Sequence, residues 1–297
     1  MWSRLAALLA VLALVLVACS SSSGASPSAS AAPAATPSAA ASAVASTTAP
    51  ASAVASTAPS AAAVDLTIYA ASSLKAALDK VKAQYEAANP GTTLTISTDA
   101  SSALEAKIEQ GAPADVFLSA DTTNPQKLVD KALASGSLTN FAKNKLTVIV
   151  PKDNPAKLQT PEDLAKSGVK VIAAGDAVPI TKYATQLVGN LAKEPGYPAN
   201  FVAAYDANIA SKEDNVGAIV AKVGTGEGDA GIVYVTDATG KDVAAIAVPP
   251  DANVIATYAG AVLKSSANPS AASTFLTWLA GPDGQATLSG FGFLPPT

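Results

Sequence analysis

Histidine is missing from all 297 residues, arginine occurs once, at Arg4, and cysteine once, at Cys19. Without histidine there is no imidazole base, no Ser-His or Cys-His pair and no His-ligated zinc. With arginine confined to the N-terminus, any anion site in the remainder lacks a guanidinium fork and must use lysine, hydroxyls or backbone N–H groups. Charge is scarce too, at 14% of residues, and 19 Lys+Arg against 23 Asp+Glu leave a net charge of −4. That balance argues against a nucleic-acid binder, which needs a basic stripe to displace counterions. Aromatic residues make up only 5%. Tyr69, Tyr183, Tyr205 and Tyr258 read as core or cleft wall.

The N-terminus carries an address. Met1–Arg4 is a short basic start, followed by the apolar run LAALLAVLALVLVA and then Cys19, the pattern of a secretory signal over residues 1–18. The run is short for a membrane-spanning helix of about 20 residues. Leu16-Val17-Ala18-Cys19 resembles the lipobox of bacterial lipoproteins. The resemblance implies cleavage before Cys19, lipid on its thiol and acylation of its new amino group, which together supply the several acyl chains that stable anchoring needs. The expected location is the extracytoplasmic face of the cell membrane. Lipidation would also consume the single thiol. Residues 20–63 contain only Ser, Ala, Thr, Pro, Val and Gly, with ASAVAST repeated at 41–47 and 51–57. Such a composition has too little bulky apolar surface to offset backbone ordering, so 19–63 is expected to be a disordered tether reaching roughly 35–40 Å.

From Val64 onward, strand-like and helix-like segments alternate. DLTIYAA, TTLTIST, ADVFLSA, KLTVIVP, VKVIAAG, AGIVYV and VAAIAV read as strands. SLKAALDKVKAQYEAANPG, SSALEAKIEQG, NPQKLVDKALASG, TKYATQLVGNLAK, NVGAIVAKV and SAASTFLTWLAG read as helices. This alternation predicts an α/β fold with parallel sheets covered on both faces, divided into two lobes. In open α/β sheets a ligand sits off the carboxyl ends of the strands, where helix N-termini converge. The junctions of interest are therefore Ser72-Ser73, Ser101-Ser102, Gly175-Asp-Ala-Val-Pro179 and Glu213-Asp-Asn-Val216. Ser102-Ala-Leu-Glu105 matches a capping box, and capping alone explains most serines at helix starts. Four such junctions rich in neutral donors favour an anion cradle.

Three motifs point elsewhere. Ser72-Ser-Leu-Lys75 fits the S-x-x-K of penicillin-recognising enzymes, which would make the chain a secreted serine hydrolase, but no S-D-N or K-T-G follows. Gly226-Glu-Gly-Asp-Ala-Gly231 fits G-x-G-x-x-G but precedes a strand instead of following one, so it reads as a loop. Asp115 and Asp121 flank a strand and read as turn or capping groups rather than a catalytic pair. No cofactor or bound metal cation is indicated.

Ala70-Ala-Ser-Ser-Leu74, Ser101-Ser-Ala-Leu104 and Gly111-Ala-Pro-Ala-Asp-Val-Phe-Leu-Ser-Ala-Asp121 resemble the periplasmic molybdate-binding proteins of ABC transporters. So do Gly175-Asp-Ala-Val-Pro179, Asp229-Ala-Gly-Ile-Val-Tyr234 and Gly281-Pro…Gly290-Phe-Gly-Phe293. The resemblance runs in order through 64–297. It implies a two-lobed type II periplasmic-binding-protein fold, each lobe a mixed, mostly parallel sheet flanked by helices, with a tetrahedral oxyanion in the interlobe cleft. Lobe 1 would comprise 64–145 plus 248–297, and lobe 2 would comprise 146–247. The family's hydroxyl ligands fall on Ser73, Ser101 and Tyr234 and its backbone N–H ligands on Ile180 and Val216, with Ser72 and Ser102 as neighbouring candidates. Thr181 stands where many relatives have glycine, and Gly217 where they usually have arginine.

These readings converge on a monomeric lipoprotein that captures molybdate, with tungstate, and delivers it to an ABC permease. Neutral donors suit a fully deprotonated dianion, whereas hydrogen phosphate would set its own O–H against them, a buried mismatch of about 1–3 kcal/mol. A receptor for sulfate or phosphate on the same fold is the alternative.

Overall fold

The computed structural model describes residues 63–297 apart from 240 and 241. The expected signal segment, Cys19 and all but the last residue of the tether lie outside the described residues. In chain order, β1 (Val64–Ala71) leads through a 3-10 turn at Ser72–Leu74 into α1 (Lys75–Ala88), followed by β2 (Thr92–Asp99), α2 (Ser101–Glu109), β3 (Val116–Ser119), α3 (Thr123–Asp130) and β4 (Ala134–Asn144). The chain then crosses to β5 (Leu146–Pro151), β6 (Val171–Ala174), α4 (Pro179–Leu191), α5 (Phe201–Ala207), β7 (Ile209–Glu213), α6 (Val216–Gly224), β8 (Ala230–Tyr234), α7 (Val235–Ala238) and β9 (Val243–Ile246). It returns through β10 (Ala256–Leu263), α8 (Pro269–Ala280) and α9 (Pro282–Gly290).

Two five-stranded sheets result, ordered β2-β1-β3-β10-β4 and β7-β6-β8-β5-β9. Each is mixed. β2, β1 and β3 run parallel, with β10 antiparallel to both β3 and β4. β7, β6 and β8 run parallel, with β5 antiparallel to both β8 and β9. Every residue of β3, β5 and β8 is buried, as expected for strands covered on both faces. α1 lays Ala77, Leu78, Val81 and Tyr85 on its sheet, the stripe expected of a helix with one apolar face. Tyr85 then meets Phe275 and Trp278 of α8 edge-on, at centroid distances of 5.0 and 5.2 Å. Among the described residues no helix is long and apolar enough to cross a membrane.

Several elements depart from the sequence reading. The helix expected through Gly136 ends at Asp130; Ala132 turns with a positive φ of 56° and the chain enters β4. Ala-Leu-Ala is good helix sequence, but pairing of β4 with β10 overrides that local preference. β10 was not expected as a strand at all. Half of its sequence ATYAGAVL is alanine or glycine, which dilutes the strand propensity of Thr257, Tyr258 and Val262, and it is stabilised by its neighbours. A Cβ on Gly260 would stand 2.6 Å from the Leu276 side chain and 3.0 Å from that of Leu118, so glycine lets α8 close on the sheet. β4, β7, α5, α7 and α9 likewise lacked a predicted counterpart.

A second close approach sits at the α8–α9 junction, where a Cβ on Gly284 would lie 2.3 Å from the Leu279 carbonyl oxygen. Backbone cannot yield there as a side chain can. Gly284→Ala should therefore destabilise by about 1–3 kcal/mol, whereas Gly189→Ala, in α4 with nothing within 4 Å, should stabilise by about 0.5–1 kcal/mol. Urea unfolding followed by circular dichroism measures both signs.

Candidate functional site

The strand–helix junctions of both lobes meet at one small cavity. Ala71, Ser72 and Ser73 reach it from the end of β1; Asp99, Ala100 and Ser101 from the β2–α2 junction; and Ala120 from beyond β3. Val178, Pro179 and Ile180 come from the start of α4, Val216 from the start of α6, and Tyr234 from the end of β8. The cavity measures about 200 Å³ including its mouth. Its position off the carboxyl ends of the strands is where α/β folds carry ligands. Of the residues singled out in the sequence, Ser72, Ser73, Ser101, Ile180, Val216 and Tyr234 share this lining, and Ser102 is not part of it.

The serines are not caps. The 3-10 turn begins after Ala71 and α2 after Ala100, neither with a side-chain cap, so the expected Ser102–Glu105 capping box does not form. Glu105 instead pairs with Lys127 at 3.3 Å. Ser101 Oγ accepts the Ala120 N–H at 3.0 Å, which leaves its proton for another acceptor. Ser73 Oγ lies 2.8 Å from Tyr258 Oη. At α4 and α6, Ile180 and Val216 occupy the first helical turn, where backbone N–H groups have no intrahelical acceptor and the helix dipole presents its positive end.

Tyr234 completes the lining. It is 1% exposed, and its hydroxyl is buried without a hydrogen-bond partner in the protein. Its ring belongs to an aromatic layer that joins the lobes, with Tyr258 at 5.6 Å and Tyr183 at 6.3 Å; beyond them Phe293 lies 5.4 Å from Tyr258. Burial pushes the hydroxyls of Tyr234 and Tyr258 well above their ordinary value of 10.0. Burial, with the Asp121 charge, lifts Tyr183 to about 12. These phenols therefore remain proton donors throughout the ordinary pH range.

No lysine lines this cavity. Its one carboxylate, Asp99, already accepts three hydrogen bonds, from Ala100 N–H at 2.8 Å, Lys107 Nζ at 3.0 Å and Asn215 Nδ2 at 3.3 Å. Burial pushes the Asp99 carboxyl up, but those bonds outweigh it and hold the group below the usual carboxylate range. The Asn215 bond runs from the second lobe to the first, and Asn215 Oδ1 also caps α6 by accepting the Ala218 N–H at 3.1 Å. Asp99 was not recognised from sequence as part of the lining, because nothing local connects the end of β2 with the start of α6.

The S-x-x-K reading finds no support in the geometry. Lys75 has a side chain 66% exposed and pairs with Asp79 at 3.5 Å. It lines a larger neighbouring cleft of about 1280 Å³ on the same measure. Among the described residues no cluster of acidic or thiol groups could hold a metal ion. Asp121 accepts hydrogen bonds from Ser119, Asn124 N–H and Asn124 Nδ2, the local turn role read from the sequence, whereas Asp115 ties distant segments together by accepting from Thr67 N–H in β1 and from Ser266. Thr181, at the position where relatives often have glycine, ties its hydroxyl to the Gly175 carbonyl at 2.8 Å. At Gly217 an added Cβ would come 3.2 Å from Asn215 Oδ1.

Two lobes closing on a cavity of hydroxyls and helix N-termini define a ligand-capturing protein. The chain belongs to the bacterial extracellular solute-binding proteins, whose family pattern it matches over residues 66–294. This is a family of binding proteins, not of enzymes, and it acts outside the cytoplasm. The chain is 32% identical over 231 residues to the molybdate-binding protein ModA of Mycobacterium tuberculosis, covering 77% of this chain and 84% of that one. Its fold is similar to the periplasmic molybdate-binding protein of Azotobacter vinelandii, with a TM-score of 0.67 at 24% identity over 78% of this chain and all of that one. It is similar also to the sulfate-binding protein SubI of Mycobacterium tuberculosis, with a TM-score of 0.70 at 20% identity over 78% of this chain and 87% of that one.

Two measurements check this geometry. Asn215→Ala should lower stability by about 1 kcal/mol through loss of the α6 cap, read as a lower urea midpoint. The raised tyrosines favour the folded state only while protonated, so their contribution is complete below the ordinary tyrosine value of 10.0 and is lost as pH rises toward about 12, where Tyr183 ionises in the folded chain. Stability measured against pH should fall across that alkaline window.

Proposed function

We propose that this protein captures molybdate, with tungstate as a second ligand, and delivers it to an ABC permease. The observation that carries this reading is the buried, unpartnered Tyr234 hydroxyl on a cavity lined by further hydroxyls, helix N-termini and one carboxylate, Asp99, and by no lysine. In the proposed complex Ser73, Ser101 and Tyr234 donate their hydroxyl protons, and Ile180 and Val216 donate backbone N–H groups. A dianion is then balanced by oriented dipoles rather than by a countercharge, the arrangement that helix N-termini favour. Closure of the two lobes around the ion is the working motion.

Sulfate is the second reading, because the fold is shared with a sulfate-binding protein as well as with molybdate-binding ones. The likeness to ModA at 32% identity favours molybdate. Hydrogen phosphate is disfavoured on chemistry. Its O–H would face the donor hydroxyls and N–H groups of the lining, and of the roughly four acceptor sites on Asp99, the one carboxylate there, three are already taken.

Calorimetry with molybdate, tungstate, sulfate and phosphate tests the assignment. Molybdate and tungstate should bind more tightly than sulfate, and equal affinity for sulfate would overturn the choice of ion. Ser73→Ala and Ser101→Ala should each weaken binding by about 1–3 kcal/mol, the contribution of a hydrogen bond to a charged group, while Lys75→Ala changes little.

We further propose that residues 1–18 are a signal segment, that Cys19 bears the lipid, and that the receptor works as a monomer on the tether 19–63. The run that ends in Leu16-Val17-Ala18-Cys19 supports this reading. Cys19→Ala should move the protein from the membrane fraction to the soluble one.

A further inference from the structure

We propose that Tyr258, backed by Asn144, is a positioning residue that turns the Ser73 hydroxyl proton toward the oxyanion. This inference rests on the proposed binding role of Ser73 and goes beyond it, since Tyr258 does not line the cavity. Tyr258 is 0% exposed and lies at the centre of the aromatic layer. Its Oη is 2.8 Å from Ser73 Oγ, and distance alone leaves the donor undecided. Two features decide it.

The first is Asn144, the last residue of β4, where the chain crosses between the sheets. Its Oδ1 accepts the Lys145 N–H at 2.9 Å, which fixes the orientation of the amide. Its Nδ2 therefore points the other way, 2.8 Å from Thr236 Oγ1 and 3.4 Å from Tyr258 Oη. An amide nitrogen only donates. Tyr258 Oη thus accepts a hydrogen bond from Asn144 and offers its own O–H to Ser73. The second feature is acidity: a phenol ionises far more readily than an alkyl hydroxyl and is the better donor of the two. Ser73 Oγ then acts as acceptor toward Tyr258, and its proton is left for the cavity. Hydrogen bonds in such a chain polarise one another in a low-dielectric interior, so Ser73 becomes a stronger donor than an isolated serine. Thr236 belongs to the second lobe and Tyr258 to the first, so the chain of bonds also spans the lobe boundary.

A double-mutant cycle on the full-length protein tests this, with molybdate as the calorimetric probe. Tyr258→Phe keeps the ring and removes the donor, and should weaken molybdate binding by about 3–10-fold, the range of one neutral hydrogen bond. In a Ser73→Ala background the same substitution should change affinity by less than about twofold, because the group it acts through is gone. In a Ser101→Ala background it should keep its full effect. Loss of affinity by the same factor in all three backgrounds, or no loss in any, overturns the positioning role while leaving the oxyanion site intact. If the wild-type protein binds none of molybdate, tungstate or sulfate, the proposed function falls and this inference with it. Should Tyr258→Phe fail to fold, a neutron structure of the wild-type protein with molybdate decides the matter. Deuterium between the two oxygens must sit on Tyr258, and finding it on Ser73 overturns the proposal.

Discussion

A buried hydroxyl without an acceptor costs about 1–3 kcal/mol, and the fold holds Tyr234 in that condition at the end of β8. Around it, the same design repeats. The cavity is built largely from hydroxyls and N–H groups that carry no positive charge, with Asp99 as its one carboxylate, and helices α2, α4 and α6 aim their first turns at it. With no histidine and with arginine only at position 4, and with no lysine in the lining, hydroxyls and N–H groups are what the cavity has to offer the proposed oxyanion. Neutral donors have a compensating property: their readiness to donate hardly changes with pH. Burial of the three tyrosines extends that constancy by keeping their protons on well past the ordinary phenol range.

Donors held still before a ligand arrives are spared the orientational entropy that loose hydroxyls would lose on binding. The structure supplies that restraint from behind. Ser101 is held by the Ala120 N–H, Ser73 by Tyr258, and the start of α6 by the Asn215 cap. Asp99 and Asn215 join the lobes at the rim, while Asn144, Thr236 and the tyrosine layer join them below. The cavity is therefore enclosed by contacts that exist only when the two sheets stand in this arrangement.

The α/β class, the first strand and helix, and the junctions that matter were legible in the chain. Period-2 runs such as DLTIYAA and the 78, 81, 85 apolar spacing of α1 express local geometry, and those elements formed where the pattern lies. β4 and β10 were not legible. SGSLTNFAKN and ATYAGAVL have neither strong strand propensity nor a clean alternation, and they become strands because each supplies the other's hydrogen bonds. The serines illustrate the same division at the site. Their position after strands marked them as candidates, yet local rules assigned them to helix capping, which the backbone does not use.

What the sequence determined by itself was the chemistry on offer: hydroxyls and N–H groups instead of guanidinium or imidazole, at strand–helix junctions where dipoles converge. Composition and short-range pattern suffice for that, because they depend on residue type and on neighbours a few positions away. The tertiary structure decided which serine of the second pair faces the cavity, that Asp99 meets Asn215, and that Tyr258 stands behind Ser73 across 185 positions of chain. Those choices depend on how two mixed sheets are crossed and closed. Such pairings are set by long-range packing, and no local preference in the chain encodes them.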